Sequence, residues 1–162
     1  VTIELRGNLN SKIQLETGLT FQTSQFDKNV RYIDGLEGIR DFIRTPNAYG
    51  YGVLTLFPNS KFNGTVNYVY TGSMKVPHFS GAPNQLVDEI VETNSFHELS
   101  IKINYSFALP KIKSKLNVHS GIKNIANSYQ SRFDIGKNRD SNFVYGPAQP
   151  RTFFIGIRLL SL

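Results

Sequence analysis

Cysteine and tryptophan are absent from this 162-residue chain, and charged residues make up only 19% of it. The absence of cysteine excludes a disulfide framework and zinc sites built from cysteine ligands. The sequence also lacks a long apolar run, so we expect no transmembrane helix and no signal peptide within it. The chain is long enough for one domain with a sizeable core.

Positive charge is in excess, with a formal net charge of +6. Much of this excess comes from lysines at or next to predicted tight turns, namely Lys61, Lys111, Lys113 and Lys115. No basic stripe interleaved with aromatic residues accompanies them. We therefore expect no nucleic-acid partner.

Alternation of apolar and polar residues with a period of two is the dominant pattern of the chain. It is clearest at 97–109, where Leu99, Ile101 and Ile103 alternate with polar residues. Both faces of the stretch 49–57 are apolar, which leaves its orientation open. Seven stretches have strand character, and we predict strands at 1–9, 12–23, 49–57, 62–71, 97–109, 115–125 and 152–160.

Connections between these strands alternate between short and long. The long ones span about 24–48, 73–95 and 126–150, and they contain the glycine and proline signals of turns. The helical spacing of Leu36, Ile39, Phe42 and Ile43 predicts one short helix inside the first long connection. No helix recurs between strands, so the strands should form an antiparallel meander in which sequence neighbours pair.

The lengths of strands and connections are typical of outer-membrane barrels. A transmembrane strand needs about 9 to 11 residues, and such barrels have short periplasmic turns and longer extracellular loops. Aromatic residues at both strand ends, with aliphatic residues between them, predict the two girdles of a barrel. Those near short turns are Phe57, Phe62, Tyr105 and Phe107, and those near long loops are Phe21, Phe26, Tyr49, Tyr51, Tyr68, Tyr70 and Phe153.

The end of the chain carries a family resemblance. Residues 145–162 read YGPAQPRTFFIGIRLLSL, and they resemble the "YGP…RTFF.G.." strand with which TonB-dependent outer-membrane receptors often finish. The run Gly121–Ile125, followed by Asn127–Tyr129, resembles the "G.KN.FN.Y" run upstream of that strand. The chain departs from the family at Leu162, where an aromatic residue is common.

The resemblance implies an all-β fold, an antiparallel up-and-down transmembrane β-barrel in the bacterial outer membrane. Receptors of this kind have about 22 strands around a plugged lumen. Residues 1–162 would then be the C-terminal part of the barrel domain, about seven strands of it, without the plug domain and the TonB-contacting box. Because the chain begins inside an alternating strand, we expect its first and last strands not to pair with each other.

The resemblance also implies a function and a set of partners. The function would be energised uptake of a scarce ligand such as a metal chelate, cobalamin or a glycan. The partners would be the lipid bilayer, the remaining barrel strands, the plug domain and, through the missing N-terminal part, the inner-membrane TonB complex.

Site residues are not specified by the sequence. The histidines His78, His97 and His119 lack the spacing of metal ligands. Two pairs of carboxylates lie in long connections without a supporting base or nucleophile, namely Asp88 with Glu89 and Asp134 with Asp140. We therefore expect no enzymatic activity, metal or cofactor. The resemblance points loosely to loop residues for ligand contact, namely Tyr32, Arg40, Arg44, Arg132 and Arg139, and the contacting residues stay unknown.

Two other interpretations remain open at this point. The chain could form a complete small outer-membrane barrel with a structural or adhesive role. It could also be a soluble β-sandwich that serves as a binding module.

Overall fold

A computed structural model describes residues 1–161, which contain eleven strands, one short 3₁₀ turn and no α-helix. Within this range no helix is both long enough and apolar enough to cross a membrane. The strands are β1 (Thr2–Asn10), β2 (Ile13–Phe21), β3 (Gln25–Val30), β4 (Ile39–Asp41), β5 (Ala48–Leu56), β6 (Phe62–Thr71), β7 (Lys75–His78), β8 (Glu89–Glu92), β9 (Phe96–Leu109), β10 (Ser114–Lys123) and β11 (Thr152–Ser161). The 3₁₀ turn, Pro110–Ile112, joins β9 to β10.

Seven antiparallel strands form the main sheet in the order β1–β2–β5–β6–β9–β10–β11. This order confirms the predicted meander, because each strand pairs with the next main-sheet strand along the chain. Strands β1 and β11 do not pair with each other, so within residues 1–161 the sheet is open, as predicted.

Three long loops lie at one end of the sheet and three tight turns lie at the other. We name the loops L1 (22–47), L2 (72–95) and L3 (124–151), and we call the two ends of the sheet the loop end and the turn end. L1 contains the hairpin β3–β4, and L2 contains the hairpin β7–β8.

The short helix predicted in L1 is wrong, because this segment forms a hairpin. Ile39 pairs with Val30. The rings of Phe26 and Phe42 stack with their centroids 4.1 Å apart. Arg40 Nε donates a hydrogen bond to the Phe26 carbonyl oxygen at 3.0 Å. These cross-hairpin contacts stabilise extended backbone where helical spacing was misleading.

The two faces of the main sheet differ in chemistry. We call the face that carries Ile101 and Ile103 of β9 the outer face, and the opposite one, with Lys102 and Asn104, the inner face. One transverse row on the outer face is apolar across six paired strands: Leu15, Leu54, Val66, Ile101, Ile122 and Phe153. A neighbouring row on the inner face is largely polar: Asn8, Gln14, Thr55, Thr65 and Lys102. The pairing also settles the orientation of β5, whose Leu54 and Leu56 face outward.

The apolar outer face is the exposed one. In β9, Ile103 is 48% exposed and Phe107 is 46% exposed, whereas Lys102 and Asn104 on the inner face are half-buried and Ser106 is buried. Within residues 1–161 no second sheet packs on the outer face. A globular protein in water would normally show the reverse arrangement, with its apolar face covered.

Aromatic side chains form a row at each end of the outer face. Those nearer the turns are Phe62, Tyr105 and Phe107, and those nearer the loops are Phe21, Tyr68, Tyr70 and Phe153. The prediction that Tyr49 and Tyr51 belong to a girdle is wrong, because both lie on the inner face. The Tyr51 ring lies over Gly18, where an added Cβ would be 2.6 Å from Tyr51 Cε1, so the glycine makes room for the ring.

The packed core of the described chain lies mainly in the loops. The largest fully buried side chains are Phe143, His78, Val76 and Asn124, and all four belong to L2 or L3. The sheet therefore has two uncovered faces beneath a compact layer of loops.

Candidate functional site

The loop layer, formed by L1, L2 and L3, is held together by hydrogen bonds from loop to loop. L1 contacts L2 through a salt bridge of 2.5 Å between Asp41 Oδ2 and Lys75 Nζ. L1 also reaches L3, because the Arg44 guanidinium donates to the carbonyl oxygens of Val144, at 3.0 Å, and of Asn142. Each loop is thus positioned by another, which gives the loop end of the sheet a defined shape.

His78 is at the centre of the contact between L2 and L3. Its side chain is fully buried, and Nε2 lies 2.9 Å from Oδ1 of Asp134, whose side chain is only 2% exposed. The Phe143 ring stacks on the imidazole with centroids 3.5 Å apart. Within residues 1–161, Nδ1 of His78 has no hydrogen-bond partner, and the nearest carboxylate oxygen, Glu89 Oε1, is 3.7 Å away.

Arg132 and Asp140 extend this contact from the L3 side. Arg132 Nη2 donates to Glu89 Oε1 and to Oε1 of the buried Gln85, both at 3.1 Å. Asp140 Oδ2 accepts a hydrogen bond of 3.0 Å from the Phe79 amide. The pair Asp134 and Asp140, considered in the sequence as paired carboxylates, is joined instead by the Asp140 amide donating to Asp134 Oδ2 at 2.9 Å.

Asn124 closes L3 at its base. Its side chain is buried, and Nδ2 donates to the carbonyl oxygens of Ser128 and Gln149, both at 2.9 Å. Oδ1 accepts a hydrogen bond of 2.8 Å from the Ser128 amide. Asn124 therefore joins the beginning of L3 to its end, immediately before β11. This contact gives a structural role to the "KN" of the motif that carries the family resemblance.

Three carboxylates of the loop layer have lowered pKa values. Burial raises the pKa of Asp134, but hydrogen bonds from the Asp140 amide and from His78 outweigh it, and the net pKa lies below the ordinary 3.8. The hydrogen bond from Lys75 lowers the pKa of Asp41, and that from the Ser80 amide lowers the pKa of Asp88. All three groups are therefore ionised at neutral pH.

Acid should open the loop layer. A carboxylate whose folded pKa is depressed stabilises the closed loops fully above its unfolded pKa of 3.8, and that contribution is lost as the pH falls through the lower folded value. We expect the protection of amides in L2 and L3 against hydrogen exchange, relative to the intrinsic rate at each pH, to fall below about pH 4 more than the protection of amides in β9 and β10. Asp134→Asn should weaken this pH dependence, and an unchanged profile in the variant would contradict the role assigned to Asp134.

Two clefts open beside the loop layer. The larger, about 580 Å³, lies at the loop end of β1, β2, β5 and β6, and the residues that line it include Glu4, Thr20, Tyr49 and Tyr51. The smaller, about 390 Å³, lies in L3, and Tyr129, Phe133 and Tyr145 are among its lining residues. Aromatic rings and hydroxyl groups in a concave surface can bind an organic ligand.

Five loop residues were suggested by the family resemblance as ligand contacts, and the structure does not bring them together at one point. They are Tyr32, Arg40, Arg44, Arg132 and Arg139. Tyr32 donates to the Asp41 carbonyl at 3.0 Å, and Arg40 bonds within its own hairpin. Arg44 and Arg132 contribute to the contacts between loops, and Arg139 is exposed in L3. Four of the five therefore shape the loop layer.

The histidines occupy three separate environments. His78 is buried in the loop layer, His97 Nδ1 lies 2.7 Å from the Tyr68 hydroxyl, and the His119 ring lies over Gly156. Among residues 1–161 no three side chains of His, Cys, Asp or Glu come together as metal ligands.

Several buried residues of the loop layer, including Gln85, Gln130 and Phe143, carry no signal in the sequence. Some of their partners are distant in sequence, such as Arg132 for Gln85 and the Phe143 carbonyl for Gln130, and only the folded arrangement reveals these contacts. A comparison of the chain with protein families, curated proteins and solved structures finds no match.

Proposed function

We propose that this chain is the C-terminal barrel part of a TonB-dependent receptor in the bacterial outer membrane. The observation that carries the proposal is the exposed apolar outer face of the main sheet, opposite a polar inner face. Side chains such as Ile103 and Ile157, 48% and 70% exposed, would contact lipid rather than water. The two aromatic rows would lie at the two interfaces of the bilayer.

The placement of the connections also supports the proposal. All three long loops leave the same end of the sheet, and all three tight turns lie at the other. With the turns in the periplasm, the loop layer faces the cell exterior, and the C-terminal end of β11 lies at the periplasmic side. The loops and the inner face are then the surfaces available to a ligand.

The open edges of the main sheet favour the interpretation that this chain is one part of a larger barrel over a complete small barrel or a soluble sandwich. A sheet with unpaired edges is not stable in hydrocarbon, where each unsatisfied backbone group costs several kcal/mol. Strands β1 and β11 would therefore pair with further strands of the same receptor, and a plug domain would occupy the lumen. A complete small barrel would need β1 to pair with β11, and a soluble sandwich would need a cover for the outer face.

Receptor function in this proposal is uptake of a scarce ligand, with energy from the inner-membrane TonB complex delivered through the plug domain. The loop layer would provide the first contact with ligand from outside. The ligand would be a metal chelate, cobalamin or a glycan. No catalytic step is assigned to any residue.

Surface labelling in cells that produce the protein tests the proposed topology. The chain has no cysteine, so a single introduced cysteine gives an unambiguous signal. Leu86→Cys, at a position in L2 that is 83% exposed, should react with a membrane-impermeant maleimide in intact cells. Asn59→Cys, at the opposite turn, should react only after the outer membrane is permeabilised. Equal labelling of both in intact cells, or labelling of neither after permeabilisation, would contradict the proposal.

A further inference from the structure

Basic side chains are concentrated on the inner face of one part of the sheet. Strands β9, β10 and β11 carry four lysine or arginine residues, Lys102, Lys115, Lys123 and Arg158, and one acidic residue, Glu98. Strands β5 and β6 carry no charged residue, and β1 and β2 carry a mixture of both signs. The positive charge of the sheet is therefore on one wall.

The register arranges these cations as a ladder. Gly121 on β10 pairs with Lys102 on β9 and Asn117 pairs with Arg158 on β11, so these cations lie on the same face as Lys115 and His119 of β10. Across β9, β10 and β11, five consecutive transverse rows of the inner face each carry one basic side chain. From the loop end to the turn end these are Lys123, Lys102, His119, Arg158 and Lys115. We call this set the basic strip.

The length of the basic strip matches the height of the sheet. Lys123 and Lys115 are eight residues apart on β10, and a rise of about 3.4 Å per residue separates them by roughly 27 Å. The strip therefore extends from the base of L3 to the turn end. This is the direction in which a ligand would cross a closed barrel.

The strip lacks its own counter-charges. None of its four permanent cations forms a salt bridge within residues 1–161, and Lys123 Nζ lies instead 5.9 Å from the centroid of the Phe154 ring. Lysine and arginine on one wall of an enclosed space raise the local concentration of anions. A wall with this charge would bind anions and repel cations.

We propose that the basic strip binds a small polyanion, a ligand rich in carboxylate or phosphate groups. This inference rests on the proposed function, since it takes the inner face as the wall of a lumen. It narrows the ligand to negatively charged compounds and gives the wall formed by β9–β11 the role of attracting them. The evenly spaced cations let one anion be held by two successive rows as it moves along the strip.

The test is a binding titration of the complete receptor that contains this chain, purified in zwitterionic micelles at low salt. The probes are citrate, for carboxylate ligands, and inorganic triphosphate, for phosphate ligands. The variant Lys102→Gln/Arg158→Gln removes two strip cations, and its matched control Lys111→Gln/Lys113→Gln removes two cations from the turn between β9 and β10. We expect at least tenfold weaker binding for the strip variant with one probe or both, and a change below twofold for the control.

Folding of each variant is checked by circular dichroism. The single variant Lys115→Gln, at an exposed residue, provides a milder change in the same strip. For this variant we expect about a threefold loss of affinity for the probe. Equal weakening in the strip variant and the control would show that net charge alone attracts the anion and would overturn the inference. No binding of either probe would overturn it too.

Failure of the proposed function gives a separate signal. If the sheet folds in buffer without micelles or lipid, the membrane proposal fails, and the same titration on that soluble form still decides whether the strip binds polyanions.

Discussion

Ile103→Arg is expected to lower the free energy of unfolding in a lipid bilayer by about 2 to 4 kcal/mol. Ile103 lies on the outer face between the two aromatic rows, and 48% of it is exposed. In the proposed setting this exposed surface contacts hydrocarbon, where a guanidinium is poorly solvated. The cost of a charged side chain in lipid is largest at the bilayer midplane and falls towards the two bilayer surfaces. A position between the aromatic rows, such as Ile103, should therefore show the largest effect.

The adjacent residue provides a matched control. Asn104 points to the inner face, where its Nδ2 donates to Asn63 Oδ1 at 2.8 Å. Asn104→Arg loses this hydrogen bond but keeps the new charge in water, so we expect a loss of about 1 kcal/mol or less. Denaturant titration of the complete receptor in vesicles compares the two variants with the parent receptor. Equal losses at both positions would contradict a lipid-facing outer surface.

His78→Ala is expected to reduce the stability of the contact between L2 and L3 by about 3 kcal/mol. The substitution leaves the buried Asp134 carboxylate without the imidazole that lies 2.9 Å from it. It also removes the ring against which Phe143 stacks and leaves a cavity there. Both effects act on the loop layer and leave the ladder of the main sheet intact.

Hydrogen exchange at single amides measures the effect of His78→Ala. The Phe143 amide donates to the Asp140 carbonyl and reports on the closed loops, and we expect its exchange to accelerate about a hundredfold, as a loss near 3 kcal/mol implies. His97→Ala, on an exposed histidine at the end of β9, is the control and should leave this amide nearly unchanged. A similar effect from both variants would contradict a central role for His78.

A double variant separates two effects of His78→Ala, the unpaired charge of Asp134 and the lost packing against Phe143. If the unpaired carboxylate carries a large part of the cost, then adding Asp134→Ala to His78→Ala should cause less damage than the sum of the two single changes. Strict additivity would indicate that the packing of Phe143 dominates.

The main sheet follows from patterns visible in the sequence. Alternation along β9 identifies both its position and its outer face, because the side-chain period of a strand is two. The orientation of β5 could not be obtained in this way, since apolar residues lie on both of its faces, and it is fixed by pairing of Leu54 with Leu15 and Val66. The basic strip likewise depends on register, which places residues of β9, β10 and β11 in successive rows.

Most of the structure of the loop layer could not be predicted from the sequence. The hairpins β3–β4 and β7–β8 are short, and their residues do not alternate, so periodicity gives no signal. Arg44 bonds to the carbonyl of Val144, a hundred residues away in sequence. Contacts of this kind depend on which loops meet at the loop end, and that follows from the topology rather than from local composition. Asn124 belongs to a run noted in the sequence for its family resemblance, but nothing in that run predicted its buried hydrogen bonds.

A cysteine scan of β9 in bilayers determines whether the outer face of the main sheet contacts lipid. Single cysteines at positions 99 to 104 would carry a polarity-sensitive fluorophore, and brominated lipids would report contact with hydrocarbon. We expect blue-shifted, quenched emission at Leu99, Ile101 and Ile103, and solvent-like, unquenched emission at Ser100, Lys102 and Asn104. Emission that does not alternate, or quenching at Ser100, Lys102 and Asn104, would contradict lipid contact of the outer face.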